Sequence, residues 1–300
     1  MVRSVIKSRS VKTRFPLLMI APSLVIIAFI VIFPLLFSLY ASFTPYYLLQ
    51  PGTLFEIVGL RNYKNLFTDV YFWQAFGRTI LFLAVVVNVE LFAGLGIALV
   101  IQKIVKGSRI IRTVVMIPMM FAPVLVGFQF KYLLNDNIGL VNNFLQLFGV
   151  MKVIPWLIDK RLALMSIMAA EIWTSTPLMA IILLAGLLSL PNDPFEAARV
   201  DGASNFQMFR YITWPLLSPF VYIALAIRSL DVARAYDIVR IMTGGGPARR
   251  TELLWTYIYR RGIVDARFGI ASAMSYIAII ISIFFTYFFF RQLIRSRVVQ

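Results

Sequence analysis

Residues 194–217 read PFEAARVDGASNFQMFRYITWPLL. Acids, bases, amides and a glycine fill this stretch, yet the runs on either side of it, 162–189 and 216–240, are long and apolar. A polar insert between two such runs is what a chain threaded through a bilayer leaves in water. The rest of the sequence agrees. Hydrophobic residues make up 60% of the 300, Phe alone accounts for 26, and the mean hydropathy is +0.84. A chain of this size has no core large enough to bury that surface, so lipid is its expected solvent.

Crossing the hydrocarbon takes roughly 20 apolar residues as a helix, and helices satisfy their own backbone polar groups. By that length six stretches qualify: 15–43, 76–101, 111–134, 162–189, 216–240 and 268–290. The fold class expected is an all-α membrane protein with about six transmembrane helices. Pro34, Pro118, Pro123 and Pro177 fall inside these stretches, and membrane helices tolerate the kinks they make. The run behind the basic N-terminus is too long for a cleaved signal core, so the first stretch reads as an uncleaved membrane helix.

Lys and Arg set the orientation. The tail 1–14 carries Arg3, Lys7, Arg9, Lys12 and Arg14, and the loop after the second stretch carries Lys103, Lys106, Arg109 and Arg112. The tail 293–300 carries Arg295 and Arg297, just beyond Arg291. Six crossings put all three segments on one side, the cytoplasm, together with the insert at 190–215. Arg249, Arg250, Arg260, Arg261 and Arg267 load the opposite side against the rule, which points to a functional use or to shielding by a partner. The net charge of +16 therefore signals orientation instead of nucleic acid, and no nucleic-acid partner is expected. His and Cys are absent, which removes the usual zinc, haem, thiolate and disulfide chemistry.

Within the insert, Asp193 is placed as an N-cap, with Pro194 at the first helical position and Glu196 completing a capping box. Gly202 ends that short helix. Residues 205–213 form a second one, with Phe206, Phe209 and Ile212 at helical spacing and Pro215 opening the next span. A helix–turn–helix at the membrane surface follows. It is either a solvated interfacial loop or a docking element for a cytoplasmic partner.

Glu196-Ala197-Ala198, then Gly202, Ile212 and Pro215, resembles the EAA loop of membrane subunits in ATP-binding-cassette importers. Trp214 stands where that family carries Leu. AGLLSLPNDPFEAARVDGAS, WPLLSPF and TGGGPARRTELLWTYIYRRG are similar to the carbohydrate-uptake branch, specifically its larger maltose-type permease subunit, over residues 15–292. The resemblance implies a type I importer permease fold and a bacterial inner-membrane location. It implies that the loop is a coupling helix docking on an ATPase, with Glu196, Ala197, Ala198, Asp201 and Gly202 as its contacts. The partners implied are a second permease subunit, an ATP-binding subunit dimer and an extracytoplasmic solute-binding protein. ATP and Mg would sit on the ATPase, and this chain would bind no cofactor and carry no enzyme activity.

Ionisable groups inside a span are costly and often functional. Arg228, Asp231, Arg234, Asp237 and Arg240 recur every third residue of the fifth stretch. They are either a self-neutralising ladder or the lining of a pathway. Glu171, Trp173, Thr174 and Ser175 precede Pro177 in the fourth stretch, where a Trp beside hydroxyls suits a sugar or where Ser and Thr simply pack helices. The resemblance carries the family's sugar-contacting positions onto Glu171, Thr174, Ser175 and Leu178, and onto Arg228, Asp231, Val232 and Ala235. The substrate expected is a sugar, polyol or sugar derivative. Arg228 further suggests an anionic one, sulfonated or phosphorylated, because its fork matches oxyanions. Glu90 is a further acid inside a span, with no role assigned. The glycines at 244–246 lack the phosphate-loop spacing and read as a tight turn. A proton-coupled secondary transporter using Asp231, Asp237 or Glu90 is the alternative function.

Overall fold

The computed structural model describes residues 19–104, 107–149 and 152–298. The basic tail 1–14 lies outside them. Helices dominate, and β pairing among the described residues is a bridge between Tyr47 and Gln50. The described residues form two compact units, those up to 68 with 259–276 and those of 69–258 with the helix residues from 277 on.

In the first unit, helix α1 (Met19–Ser42) leaves its large apolar side chains exposed from Met19 to Leu36, as a lipid-facing helix does. Its exit is fixed by Asn62 of α2 (Arg61–Phe67), whose Nδ2 donates to the carbonyls of Ser42 at 2.9 Å and Thr44 at 2.7 Å. Phe37, Tyr46 and Phe268 pack ring to ring beside that exit.

The second unit is built on α3 (Val70–Lys103), α7 (Leu162–Leu188) and α10 (Trp214–Ala233). Asp69 starts α3 as a true cap, its Oδ1 accepting from the Tyr71 N–H at 2.9 Å. Close helix approach is bought with glycine. A Cβ on Gly94 would stand 2.9 Å from the Ala180 nitrogen of α7, and one on Gly186 would stand 2.6 Å from the Phe220 ring of α10. Two apolar clusters result. One gathers Phe82, Val86, Ile167, Val232 and Val239, and the other Leu91, Leu95, Met179, Leu183 and Leu217. Glu90 lies in α3 between Val87 of the first cluster and Leu91 of the second.

About six spans were expected, with kinks at their prolines, and two of the stretches prove to be broken helices. Among the described residues four helices are long and apolar enough to cross a membrane: Met19–Ser42, Val70–Lys103, Leu162–Leu188 and Asn205–Met242. The stretch 111–134 is instead a bent pair. Helix α4 (Ser108–Met116) runs into a 3₁₀ turn (Ile117–Met120), and α5 (Pro123–Leu133) leaves at 88°. The cause is local, because proline disfavours the helical region for the residue before it. Ala122 sits at φ −62°, ψ 140° ahead of Pro123. The last stretch is one helix, α13 (Phe268–Val298), which covers the expected 268–290. The fifth stretch also breaks: α10 ends at Ala233, Arg234 to Tyr236 leave the helix, and α11 (Asp237–Met242) resumes. Arg228 to Arg240 therefore do not form one continuous helical ladder.

The insert is a helix–turn–helix, with corrections to its caps. α8 (Asp193–Val200) begins one residue earlier than expected, with Asn192 in the cap position and no side-chain cap bond, so Asp193 is helical and not the cap. The capping box lies instead at α9 (Asn205–Met208). Ser204 Oγ accepts from the Gln207 N–H at 3.3 Å and Gln207 Oε1 accepts from the Ser204 N–H at 2.8 Å. From α9 the chain runs through a π-helical turn (Phe209–Thr213) into α10, which begins at Trp214 with Pro215 in its first turn, as expected. A proline in the first turn of an α-helical segment removes no bond that the helix needs.

Candidate substrate pocket and coupling loop

Two interruptions of helix meet at one cavity. The bend contributes Pro123, and the break after α10 contributes Arg234, Ala235 and Tyr236, to a pocket of about 360 Å³. Non-helical backbone at membrane depth is tolerated where it lines a cavity. Glu171, Thr174 and Ser175 of α7 and Arg228 and Asp231 of α10 close its other walls, with Asp237 and Ile238 of α11.

The floor of this pocket is a buried ion cluster. Arg228 is 4% exposed and Glu90 is 0% exposed. The guanidinium donates to Glu90 twice, Nε to Oε2 at 2.8 Å and Nη2 to Oε1 at 2.9 Å, and Nη2 also donates to Glu171 Oε1 at 2.9 Å. The fork geometry of Arg is what allows two-point pairing with Glu90. Nη1 lies 3.6 Å from Asp231 Oδ2, and Asp231 in turn pairs with the exposed Arg234 at 3.3 Å. Three helices, α3, α7 and α10, are thereby joined at one charge cluster between the two apolar clusters.

The structure brings Glu171, Thr174, Ser175, Arg228, Asp231 and Ala235 to this pocket and leaves three expected residues out of it. Val232 is fully buried in the first apolar cluster and presents no surface to a ligand. Leu178 is half-buried and does not line the cavity. Trp173 points to a different, apolar cavity of about 900 Å³, where its ring meets that of Phe130 at 5.6 Å. It stands around the helix from Glu171 and Ser175, so it offers this pocket no stacking platform. The Thr174 hydroxyl donates to the Pro118 carbonyl at 3.0 Å and so braces the bend. Sequence reasoning missed the part played by Glu90, and it missed Pro123 and Tyr236. Pro123 itself was the available signal for the bend, since it disfavours helix at the residue before it; nothing local signalled the pairing of Glu90 with a residue 138 positions away.

The insert at 190–215, expected to be a coupling loop, is a second, separate site. Among its expected contacts Glu196, Ala197, Asp201 and Gly202 are exposed and Ala198 is half-buried. Gly202 takes φ +75°, a left-handed conformation that lets the chain reverse after α8. Ala198, Asp201, Gly202, Gln207 and Tyr211 line a hollow of about 330 Å³. Val200, Phe206 and Tyr211 are 89%, 71% and 70% exposed, large apolar surfaces beside that hollow. Phe206 thus faces outward, whereas Phe209 packs on Trp214.

Part of the basic excess after α11 is compensated within the loop. Arg249 lies 4.2 Å over the Tyr71 ring and 5.3 Å from that of Tyr257, and it pairs with the buried Glu252 at 3.2 Å. Arg261 pairs with Asp265 at 3.1 Å. The glycines turn as expected, with φ +64° at Gly244 and +94° at Gly245.

Residues 90–300 match the family described as the binding-protein-dependent transport system inner membrane component. The chain belongs to that family. Curated members resemble it along nearly their whole length. The trehalose/maltose transport system permease protein MalF of Thermococcus litoralis is 35% identical over 286 residues, 94% of each chain. The sulfoquinovosyl glycerol transport system permease protein SmoG of Agrobacterium fabrum is 31% identical over 280 residues, 93% of this chain and 90% of that one. The fold is that of solved importers: a chain of a bacterial ABC transporter for the acidic polysaccharide alginate superposes with a TM-score of 0.82 at 22% identity, covering 96% of this chain and 98% of that one. The family is one of multi-pass inner-membrane transport components, and the chain is a transport permease subunit with no enzyme among the relatives named here.

Proposed function

We propose that this chain is the membrane-spanning subunit of an ATP-driven, binding-protein-dependent importer, and that it carries a sugar or sugar derivative through the 360 Å³ pocket between α7, α10 and α11. A second permease subunit completes the pathway. An ATPase dimer docks on residues 190–215, and a solute-binding protein delivers substrate from outside. The observation that carries this reading is the conjunction of a polar cavity at two helix breaks with an exposed helix–turn–helix on the same unit. Helix breaks at a midplane cavity are how transporters expose backbone to a substrate. An exposed, capped element with apolar side chains at its tip supports docking. The relatives' printed substrates, trehalose and maltose or sulfoquinovosyl glycerol, support carbohydrate as the class.

Reconstitution into liposomes tests it. ATP supplied on the ATPase side drives accumulation of labelled sugar that is indifferent to a proton ionophore. Uptake that follows a proton gradient without ATP overturns the reading and favours a secondary transporter using Asp231, Asp237 or Glu90.

A further inference from the structure

The charge of the pocket bears on which carbohydrates it accepts, and the argument rests on the transport reading above. An anionic sugar needs a cation with free donors. Arg228 gives its Nε and Nη2 donors to the carboxylates of Glu90 and Glu171 at 2.8–2.9 Å and keeps only Nη1, which the Asp231 carboxylate already faces. The residue is 4% exposed. Arg234 is the other guanidinium at the pocket, and it already pairs with Asp231 at 3.3 Å. Against these two cations stand the carboxylates of Glu171, Asp231 and Asp237 on the wall and Glu90 directly behind it. The balance is negative, and like charge brought into such a site is repelled.

The same arrangement equips the pocket for hydroxyl donors. Glu171 Oε1 is held by Arg228 and touched by the Ser175 hydroxyl at 3.4 Å; among the described residues nothing is bonded to its Oε2. The Asp231 side chain is 45% exposed at the cavity. A carboxylate whose one oxygen is pinned by a buried cation presents the other in a fixed direction, and sugar hydroxyls donate well to it.

We propose that this pocket selects uncharged saccharides, with Glu171 and Asp231 accepting substrate hydroxyls, and that Arg228 is a positioning residue that fixes Glu171 and does not meet an anion on the substrate. The pocket therefore discriminates against uronate, sulfonated and phosphorylated sugars. The exposed apolar Trp173 cavity plays no part in this selection.

The test uses the assembled importer in nanodiscs, without solute-binding protein, so that only the transmembrane pocket is probed. Binding of maltose and trehalose is compared by calorimetry with that of maltobionate and glucuronate. The wild type is expected to favour the uncharged sugars by about tenfold or more, the size of preference expected of one uncompensated charge contact. Glu171→Gln and Asp231→Asn each weaken neutral-sugar binding and narrow the preference. Asp231→Asn alters an exposed side chain, so the test survives if Glu171→Gln folds poorly. Tighter binding of the acids than of the sugars overturns the selectivity and leaves the transport reading standing. A preference unchanged in both variants overturns the roles given to Glu171 and Asp231. Binding of neither class of sugar overturns the selectivity, while ATP-driven sugar uptake by the same importer with its solute-binding protein decides the transport reading separately.

Discussion

Replacing Arg228 with Met removes the one cation that faces Glu90 and Glu171 together. The structure fixes what is lost: two charge-assisted hydrogen bonds to a carboxylate that is 0% exposed and one to a carboxylate whose side chain is 13% exposed. Each such bond is worth about 1.5–3 kcal/mol when its charged partner stays behind. The two acids would then face each other unneutralised between apolar clusters. A loss of about 3–5 kcal/mol is expected, the range for breaking a buried pair by removing one partner. The assay is an SDS-unfolding titration of the purified chain in mixed micelles. Arg228→Lys keeps the charge but not the fork, and it should lie between wild type and Met. Glu90→Gln in the Met background should recover a substantial part of the loss, because both variants delete the same interaction. An Arg228→Met variant within about 1 kcal/mol of wild type, with no coupling in the double-mutant cycle, would refute the idea that this cluster ties α3, α7 and α10 together.

Other substitutions test the remaining elements. Gly202→Val has open space around the new Cβ, so its cost is the left-handed backbone alone, about 1–2 kcal/mol. It should leave the membrane helices folded while sugar-stimulated ATP hydrolysis drops, and retention of full coupling would contradict the role of the turn. Gly94→Val drives a side chain onto α7 at 2.9 Å and should destabilise by about 1–3 kcal/mol in the same SDS titration. Ser204→Ala removes the capping box and about 1 kcal/mol of local stability, which amide hydrogen exchange should report as faster exchange over residues 205–213. Asp159 caps the start of α7, accepting from the N–H groups of Leu162 and Arg161, and these bonds hold its carboxyl below the usual aspartate range. A depressed pKa means the cap is intact above the ordinary value of about 3.9 and is lost as pH falls through the folded one. An NMR titration should find its midpoint below that of an exposed Asp; a midpoint at or above it would contradict the cap.

Much of this protein is legible in its sequence because lipid imposes a simple rule. Long apolar runs become helices, and the runs that carry α3 and α7 appear where their length places them. The insert is legible for the opposite reason: a polar stretch with Gly202 at a turn has to leave the membrane. The bend at Phe121–Ala122 was within reach, since the residue before Pro123 is pushed out of the helix. Run length counts apolar residues and is blind to direction, so 111–134 reads as one span although its two helices diverge by 88°. The capping box moved from Asp193 to Ser204 because both sites carry a plausible pattern, and the backbone at Asn192 had already entered the helix. Least legible was the charge cluster. The spacing of Arg228, Asp231 and Arg234 along α10 suggests neighbours pairing along one helix, whereas the strongest bonds of Arg228 go to other helices, to Glu90 and to Glu171. Trp173 shows the same limit. It is two residues from Glu171 in sequence, yet on another face of α7 and another cavity.

The central claim, that residues 190–215 couple this chain to an ATPase, can be tested directly because the chain has no cysteine. Ala197→Cys introduces a single thiol on the exposed face of α8. A short bifunctional thiol–amine cross-linker is applied in native membranes, and the adduct is identified by mass spectrometry. Docking of this loop on an ATPase predicts one dominant adduct, with an ATP-binding subunit, whose yield changes when ATP hydrolysis is blocked. Efficient labelling of the thiol with no ATPase adduct, in membranes that still transport sugar, would contradict it.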